Sequence, residues 1–189
     1  GYRPVAVLPF GAGVVDVGAI VQVVQDRRRF GVEAHVPDPP LVLDAPLGAD
    51  PHVVETGGAP IVSGGWTTGA EYPTVTIYNH LDVQPAQEPE WKQAPFAFRN
   101  DCGIYHGRGA TDDKGPALTA LFGAKYAIEQ GVPINIRFLW ELEEEIGSPH
   151  FRAGLKDRAA IPRPDSVIVS DTSWIAKGRP AVPYGLRGL

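Results

Sequence analysis

"GPALTALFGAKYAIEQGVPINIRFLWE", residues 115–141, decides the fold. Leu118, Leu121, Phe122, Tyr126 and Ile128 recur at helical spacing as far as Gly131, and Pro133 just beyond cannot continue a helix. "INIRFLWE", residues 134–141, then reads as a strand, apolar enough to be buried on both faces. A helix feeding a buried strand within so short a stretch is the rhythm of an α/β sheet.

Outward from that unit, "PIVSGGW" near residue 60, "TVTIYN" at 74–79 and "SVIVS" at 166–170 read as further strands, the later ones buried on both faces. "SPHFRAGLKDR", residues 148–158, opens with Ser148 as a cap and Pro149 in the first turn, which predicts a second crossover helix. Towards the start, Val17, Ile20, Val21 and Val24 predict a helix over 14–30, with Asp16 as cap and Gly31 as stop. Pro37, Pro39, Pro40, Pro46 and Pro51 make residues 36–51 a loop.

The 189 residues are 43% hydrophobic and 21% charged, the composition of a folded domain rather than a disordered chain. With 17 basic against 22 acidic residues and Arg27–Arg29 as its one basic run, the chain lacks the electrostatic footprint of a nucleic-acid binder. The apolar run at 5–15 is broken by Pro9, Gly11 and Gly13 and is far too short to span a membrane. A lone cysteine, Cys102, cannot form an internal disulfide, which suits a reducing compartment, so the cytoplasm is expected. No methionine occurs, not even at position 1, and the sequence is therefore expected to be a processed, truncated or excerpted chain.

The acidic residues gather where the strands end. His80 and Asp82 follow "TVTIYN"; Asp112 and Asp113 follow the Gly-rich "HGRGAT" and open the 115–131 helix; Glu141, Glu143, Glu144 and Glu145 follow "INIRFLW"; Asp171 follows "SVIVS". Open α/β sheets bind ligands at the carboxyl ends of their strands, so four segments could converge on one place. One imidazole with several carboxylates is a ligand set for Zn²⁺ or a similar divalent ion, and carboxylates can bridge two such ions. Such ions polarise a carbonyl and acidify a bound water, while a free carboxylate takes its proton. On an extended backbone Glu144 and Glu145 point to opposite sides, so one could bind metal while the other faces the water.

Each signal alone has a plainer explanation. A single His-x-Asp is more often a hydrogen-bonded loop pair, "ELEEE" is ordinarily a solvated face, Asp112 and Asp113 could merely cap a helix, and Asp171 is a good turn residue. Their conjunction in order favours a metal site.

"NHLDVQPA", "EWKQAPFAF", "YHGRGATDDKGPALTAL", "ELEEEIGSPHF" and "VSDTSW" together resemble the M20 family of zinc-dependent exopeptidases, in particular its carnosinase-like dipeptidase branch, over roughly residues 53–189. The resemblance implies a zinc-exopeptidase-like α/β sheet flanked by helices, with residues 1–189 forming the N-terminal portion of a catalytic domain. It implies two divalent ions, zinc or else manganese or cobalt, and a small peptide as substrate. His80 would bind one ion with Asp171, Asp112 would bridge both, and Glu145 would bind the second. Glu144 would be the general base, and Asp82 would orient the His80 imidazole without binding metal. The Asp112–Asp113 peptide bond would be cis.

Two departures accompany the resemblance. The family draws a further histidine ligand from the far part of its catalytic domain, beyond a lid domain, and this sequence stops at "AVPYGLRGL" before either. Neither His106 nor His150 lies in a matching motif, and both are expected to be loop or surface residues. The chain alone is therefore expected to show little or no peptidase activity, with a homo-oligomer or a complementing C-terminal part as possible partners. Two other functions are consistent with the same residues: an amidohydrolase of N-acyl amino acids, and a non-catalytic binding or assembly module.

Overall fold

The computed structural model describes residues 49, 52–86, 89, 91–172, 175–176, 178–179 and 181–182. The helix expected over 14–30 and nearly all of the loop expected over 36–51 lie outside the described residues. Among those described, five strands form one sheet in the order β1 (His52–Val54), β2 (Ile61–Trp66), β6 (Asn135–Glu141), β3 (Thr74–His80), β7 (Ser166–Val169). β1, β2 and β6 pair antiparallel, whereas β6, β3 and β7 run parallel. Two short strands, β4 (Arg99–Asp101) and β5 (Ile104–His106), form a separate hairpin.

Parallel neighbours need crossovers. The first, joining β3 to its neighbour β6, contains α1 (Lys114–Glu129), and the second, leading from β6 past β3 to β7, contains the single turn α2 (Phe151–Gly154). The period of two along β6 sorts its side chains. Ile136, Phe138 and Trp140 join Val62, Ile77 and the α1 residues Ala117, Leu118, Leu121 and Ala124 on one face. Leu139 joins Val54, Ile61 and Ile161 on the other, with Phe151 and Leu155 packed alongside. The buried stripe of α1 sets Ala117 and Ala124 beside Leu118 and Leu121; Tyr126, expected inside, is 51% exposed.

Three expectations are corrected. The helix predicted over 148–158 is reduced to Phe151–Gly154. Ser148 does not cap it: this residue has φ 52°, and its hydroxyl donates to Glu141 at 3.0 Å. The side chain of Asp157 then accepts from the N–H groups of Ala159 and Ala160, turning the chain away. β7 is exposed along its whole length rather than buried on both faces, because it pairs only with β3 among the described residues. The β4–β5 hairpin was not foreseen, its strands being three residues each; its two turn residues, Cys102 (φ 51°) and Gly103 (φ 87°), are both left-handed, as a tight hairpin turn requires.

Register does the work for the site. His80 at the end of β3 lies opposite Glu141 at the end of β6, and Tyr78 opposite Val169 of β7. The loops after all three strands thus leave the sheet along one edge.

Candidate metal centre

His80 is the floor of the site, with its side chain 1% exposed. Its Nδ1 faces Asp82, 3.2 Å from the backbone carbonyl and 3.4 Å from carboxylate Oδ1. With Nδ1–H donating there, Nε2 faces outward, where it can give a proton to Asp112 or, once deprotonated, its lone pair to an ion. Around Nε2 lie Asp112 Oδ1 at 2.9 Å, Asp171 Oδ2 at 3.8 Å and Glu144 Oε2 at 3.9 Å. Donor atoms of His80, Asp112 and Asp171 fall within 4.8 Å of one another, close enough for one ion to take all three. Thr111 and Thr172 complete the lining of an open pocket of ≈ 290 Å³.

Asp112 comes from the loop before α1. Gly109 sits there at φ +84°, and a Cβ on it would lie 2.6 Å from Val83 Cγ1 and 3.0 Å from Lys114 Nζ, so the "GRG" turn can press against the loop after β3 only with glycine at this point. The Asp112–Asp113 peptide bond is cis, as the resemblance implied. Asp113 occupies the cap position of α1 but makes no side-chain cap bond. Its carboxylate instead turns into the protein and accepts from Asn79 Nδ2 at 2.7 Å and from the His80 N–H at 3.2 Å. Asn79 also donates to the Ser170 carbonyl at 2.7 Å, so a single amide ties the end of β3 to the segment leading to Asp171.

Asp82 has a second task. Its two carboxylate oxygens accept the N–H groups of Glu144 and Glu145, at 3.1 and 3.0 Å, at the start of the short 3₁₀ turn Glu144–Ile146. Glu145 turns its carboxylate to Gln84, whose amide donates to Oε2 at 2.8 Å, and it lies outside the His80–Asp112–Asp171 group. Behind the site, the buried Glu141 accepts from the hydroxyls of Tyr78 and Ser148.

The electrostatics follow from crowding carboxylates around one buried imidazole. Burial alone would lower the His80 pKa, but the hydrogen bond to Asp82 and the charges of Asp113, Asp171 and Asp82 outweigh it and raise the value to about 9. Burial raises Asp113 to about 7, aided by the charge of Asp171 and opposed by the bonds from Asn79 and His80. Asp171 and Glu144 are also pushed upward, by burial first and then by neighbouring carboxylates. Asp82 goes the other way, because its bonds from His80, Glu145 and Glu144 outweigh burial. Asp113, Asp171 and Glu144 thus resist ionisation while the imidazole holds a proton, as groups short of positive charge do, and a divalent ion supplies such charge.

Of the residues singled out by sequence, His80, Asp112, Asp171 and Glu144 meet in one pocket, with Asp82 beneath them and Glu145 beside it. His150 is a loop residue with Nδ1 2.9 Å from Glu143, and His106 ends β5. Sequence reasoning missed Asn79, Gln84 and the inward role of Asp113. Asn79 and Gln84 flank "HLDV", and their nearness to His80 and Asp82 was the available signal.

Residues 76–183 match the peptidase family M20/M25/M40. The Beta-Ala-His dipeptidase of Mus musculus is 33% identical over 94% of this chain and 32% of its own length. The Cys-Gly metallodipeptidase of Schizosaccharomyces pombe is 39% identical over 69% of this chain and 29% of its own length. Two solved structures share the fold. A metallo-carboxypeptidase of Sulfolobus solfataricus has a TM-score of 0.62 and 35% identity, covering 70% of this chain and 30% of that one. Human carnosine dipeptidase 1 has a TM-score of 0.60 and 33% identity, covering 69% of this chain and 31% of that one. The chain spans about a third of the length of the curated relatives it matches. With the motif residues converging on one metal-ligand pocket and the family match covering more than half of its length, the chain belongs to peptidase family M20/M25/M40.

Proposed function

We propose that this chain carries the ion-binding and proton-accepting part of an M20 dipeptidase-type site, hydrolysing the amide bond of a small peptide such as Beta-Ala-His or Cys-Gly, the dipeptides named for its relatives. The observation that carries this reading is the convergence of Asp112, Asp171 and Glu144 on the outward nitrogen of His80. A divalent ion, zinc or else manganese or cobalt, would be held by His80, Asp112 and Asp171, with Asp112 shared with a second ion on Glu145. When bound, such ions polarise the substrate carbonyl and lower the pKa of an attacking water.

The chain's own residues do the rest. Asp82 holds the His80 ring in one tautomer and the Glu144–Glu145 turn at a fixed height. Glu144, its side chain 39% exposed at the pocket mouth, has a pKa raised by burial and its acidic neighbours, which makes it the better proton acceptor from water. Oε2 would hold that proton until the leaving amine takes it. One histidine reaches this carboxylate group among the described residues, so the 189-residue chain by itself would turn over dipeptides slowly or not at all.

A zinc titration of the purified chain tests the division of roles. His80→Ala should weaken binding by about 10-fold or more, whereas Glu144→Gln, which alters a base rather than a ligand, should leave it unchanged. Equal losses in both variants would contradict the assignment of Glu144 as base. A second reading, assembly with another copy or with a complementing polypeptide, is favoured by the exposed Val167, Ile168 and Val169 of β7; a solution mass equal to one chain would contradict it.

A further inference from the structure

The loop after β3 makes four hydrogen bonds to the Glu144–Glu145 turn, and two of them come from one side chain with no assigned part. Gln84 Nε2 donates to the Glu145 carboxylate Oε2 at 2.8 Å and to the Glu145 backbone carbonyl at 3.1 Å. The other two are the backbone N–H bonds to Asp82. Glu145 is thus held at its N–H, at its carbonyl and at one carboxylate oxygen, all by residues within three positions of one another.

This arrangement differs from ordinary surface pairing. A glutamate carboxylate has two oxygens and about four acceptor directions, so a donor on Oε2 fixes the group while leaving Oε1 open. The charge of Glu145 also acts on Glu144 and Asp171, which places the carboxylate among like charges that would drive an untethered side chain outward. Gln84 is neutral and can tether it without competing as an anion or as a strong ligand.

Resting on the reading of Glu145 as an ion ligand, we propose that Gln84 is a positioning residue, whose amide aims the Glu145 carboxylate at the ion site. Loss of that amide should loosen the ion that Glu145 holds and leave the His80 side of the site intact.

The test is a calorimetric zinc titration of the full 189-residue chain and five variants: Gln84→Leu, Gln84→Asn, Glu145→Gln, the Gln84→Leu/Glu145→Gln double, and His80→Ala. Gln84 is exposed, so its variants should fold, which circular dichroism checks. Gln84→Leu is expected to weaken zinc binding about 10- to 100-fold, the effect typical of losing a group that orients a ligand. Gln84→Asn, one methylene too short, should lose as much, and the double variant should bind no worse than Glu145→Gln alone. Wild-type affinity in Gln84→Leu would overturn the proposal, as would wild-type affinity in Glu145→Gln, since the tethered carboxylate would then hold no ion. Indifference to His80→Ala would instead overturn the reading of the site on which the proposal rests.

Discussion

His80 Nε2 and Asp112 Oδ1 lie 2.9 Å apart, joining the end of β3 to the loop that opens α1. One partner is buried and the other is 58% exposed, so the pair forms a wall of the pocket rather than part of the core. Without an ion, a proton on His80 is the positive charge at this spot, and the protonation of His80 should govern both stability and metal uptake.

The zinc-free chain should become less stable as pH rises from 6.5 to 9. A group with a higher pKa folded than unfolded binds more protons in the folded state, so its contribution is present at low pH and is lost as pH rises. For His80 that contribution is complete below its ordinary 6.5 and lost as pH passes through about 9. Asp113 acts in the same direction at lower pH, complete below 3.8 and lost through about 7. Asp82 and Glu143, whose values are lowered, lose their contributions only as pH falls into the acid range. Thermal melts in a chelator at pH 6.5 and pH 9 check this, and a higher melting temperature at pH 9 would contradict it. Added zinc should reverse the trend, because ion and proton compete for Nε2.

Asp82→Asn should bring the His80 pKa down from about 9, since it removes the charge and the acceptor that outweigh burial. Two-dimensional NMR of the imidazole in the zinc-free chain reads this directly. An unchanged value would mean that Asp113 and Asp171 carry the effect instead.

Much of this site was legible in the sequence because each of its parts lies within a few residues of a strand end or a helix start that hydrophobic patterning marks. β2, β3, β6 and α1 follow their apolar runs, His80, Glu144 and Asp171 fall where the carboxyl edge of a parallel sheet would put them, and Asp112 lies just ahead of α1. What escaped depends on contacts between segments distant in sequence. Ser148 looked like a cap and became a donor to Glu141 at the end of β6. Asp113 looked like a cap and was drawn inward by Asn79, 34 positions earlier. The exposure of β7 was equally hidden, since "SVIV" carries the same pattern whether a sheet continues past it or stops.

Gly65→Ala should be severely destabilising. A Cβ at this position would sit 1.9 Å from the Ile136 carbonyl oxygen, in the middle of the β2–β6 pairing, where no side chain can move aside. The loss should reach the upper end of the about 1–3 kcal/mol typical of overpacking, measured by urea denaturation. Gly123→Ala, on the open face of α1 with nothing within 4 Å, is the control and should be neutral or stabilising.

The central claim is that His80, Asp112 and Asp171 together hold a divalent ion, and native mass spectrometry of the 189-residue chain with added zinc tests it most directly. The account predicts zinc adducts on the wild-type chain and fewer bound ions on His80→Ala and on Asp112→Asn. The same adducts on all three proteins would contradict it.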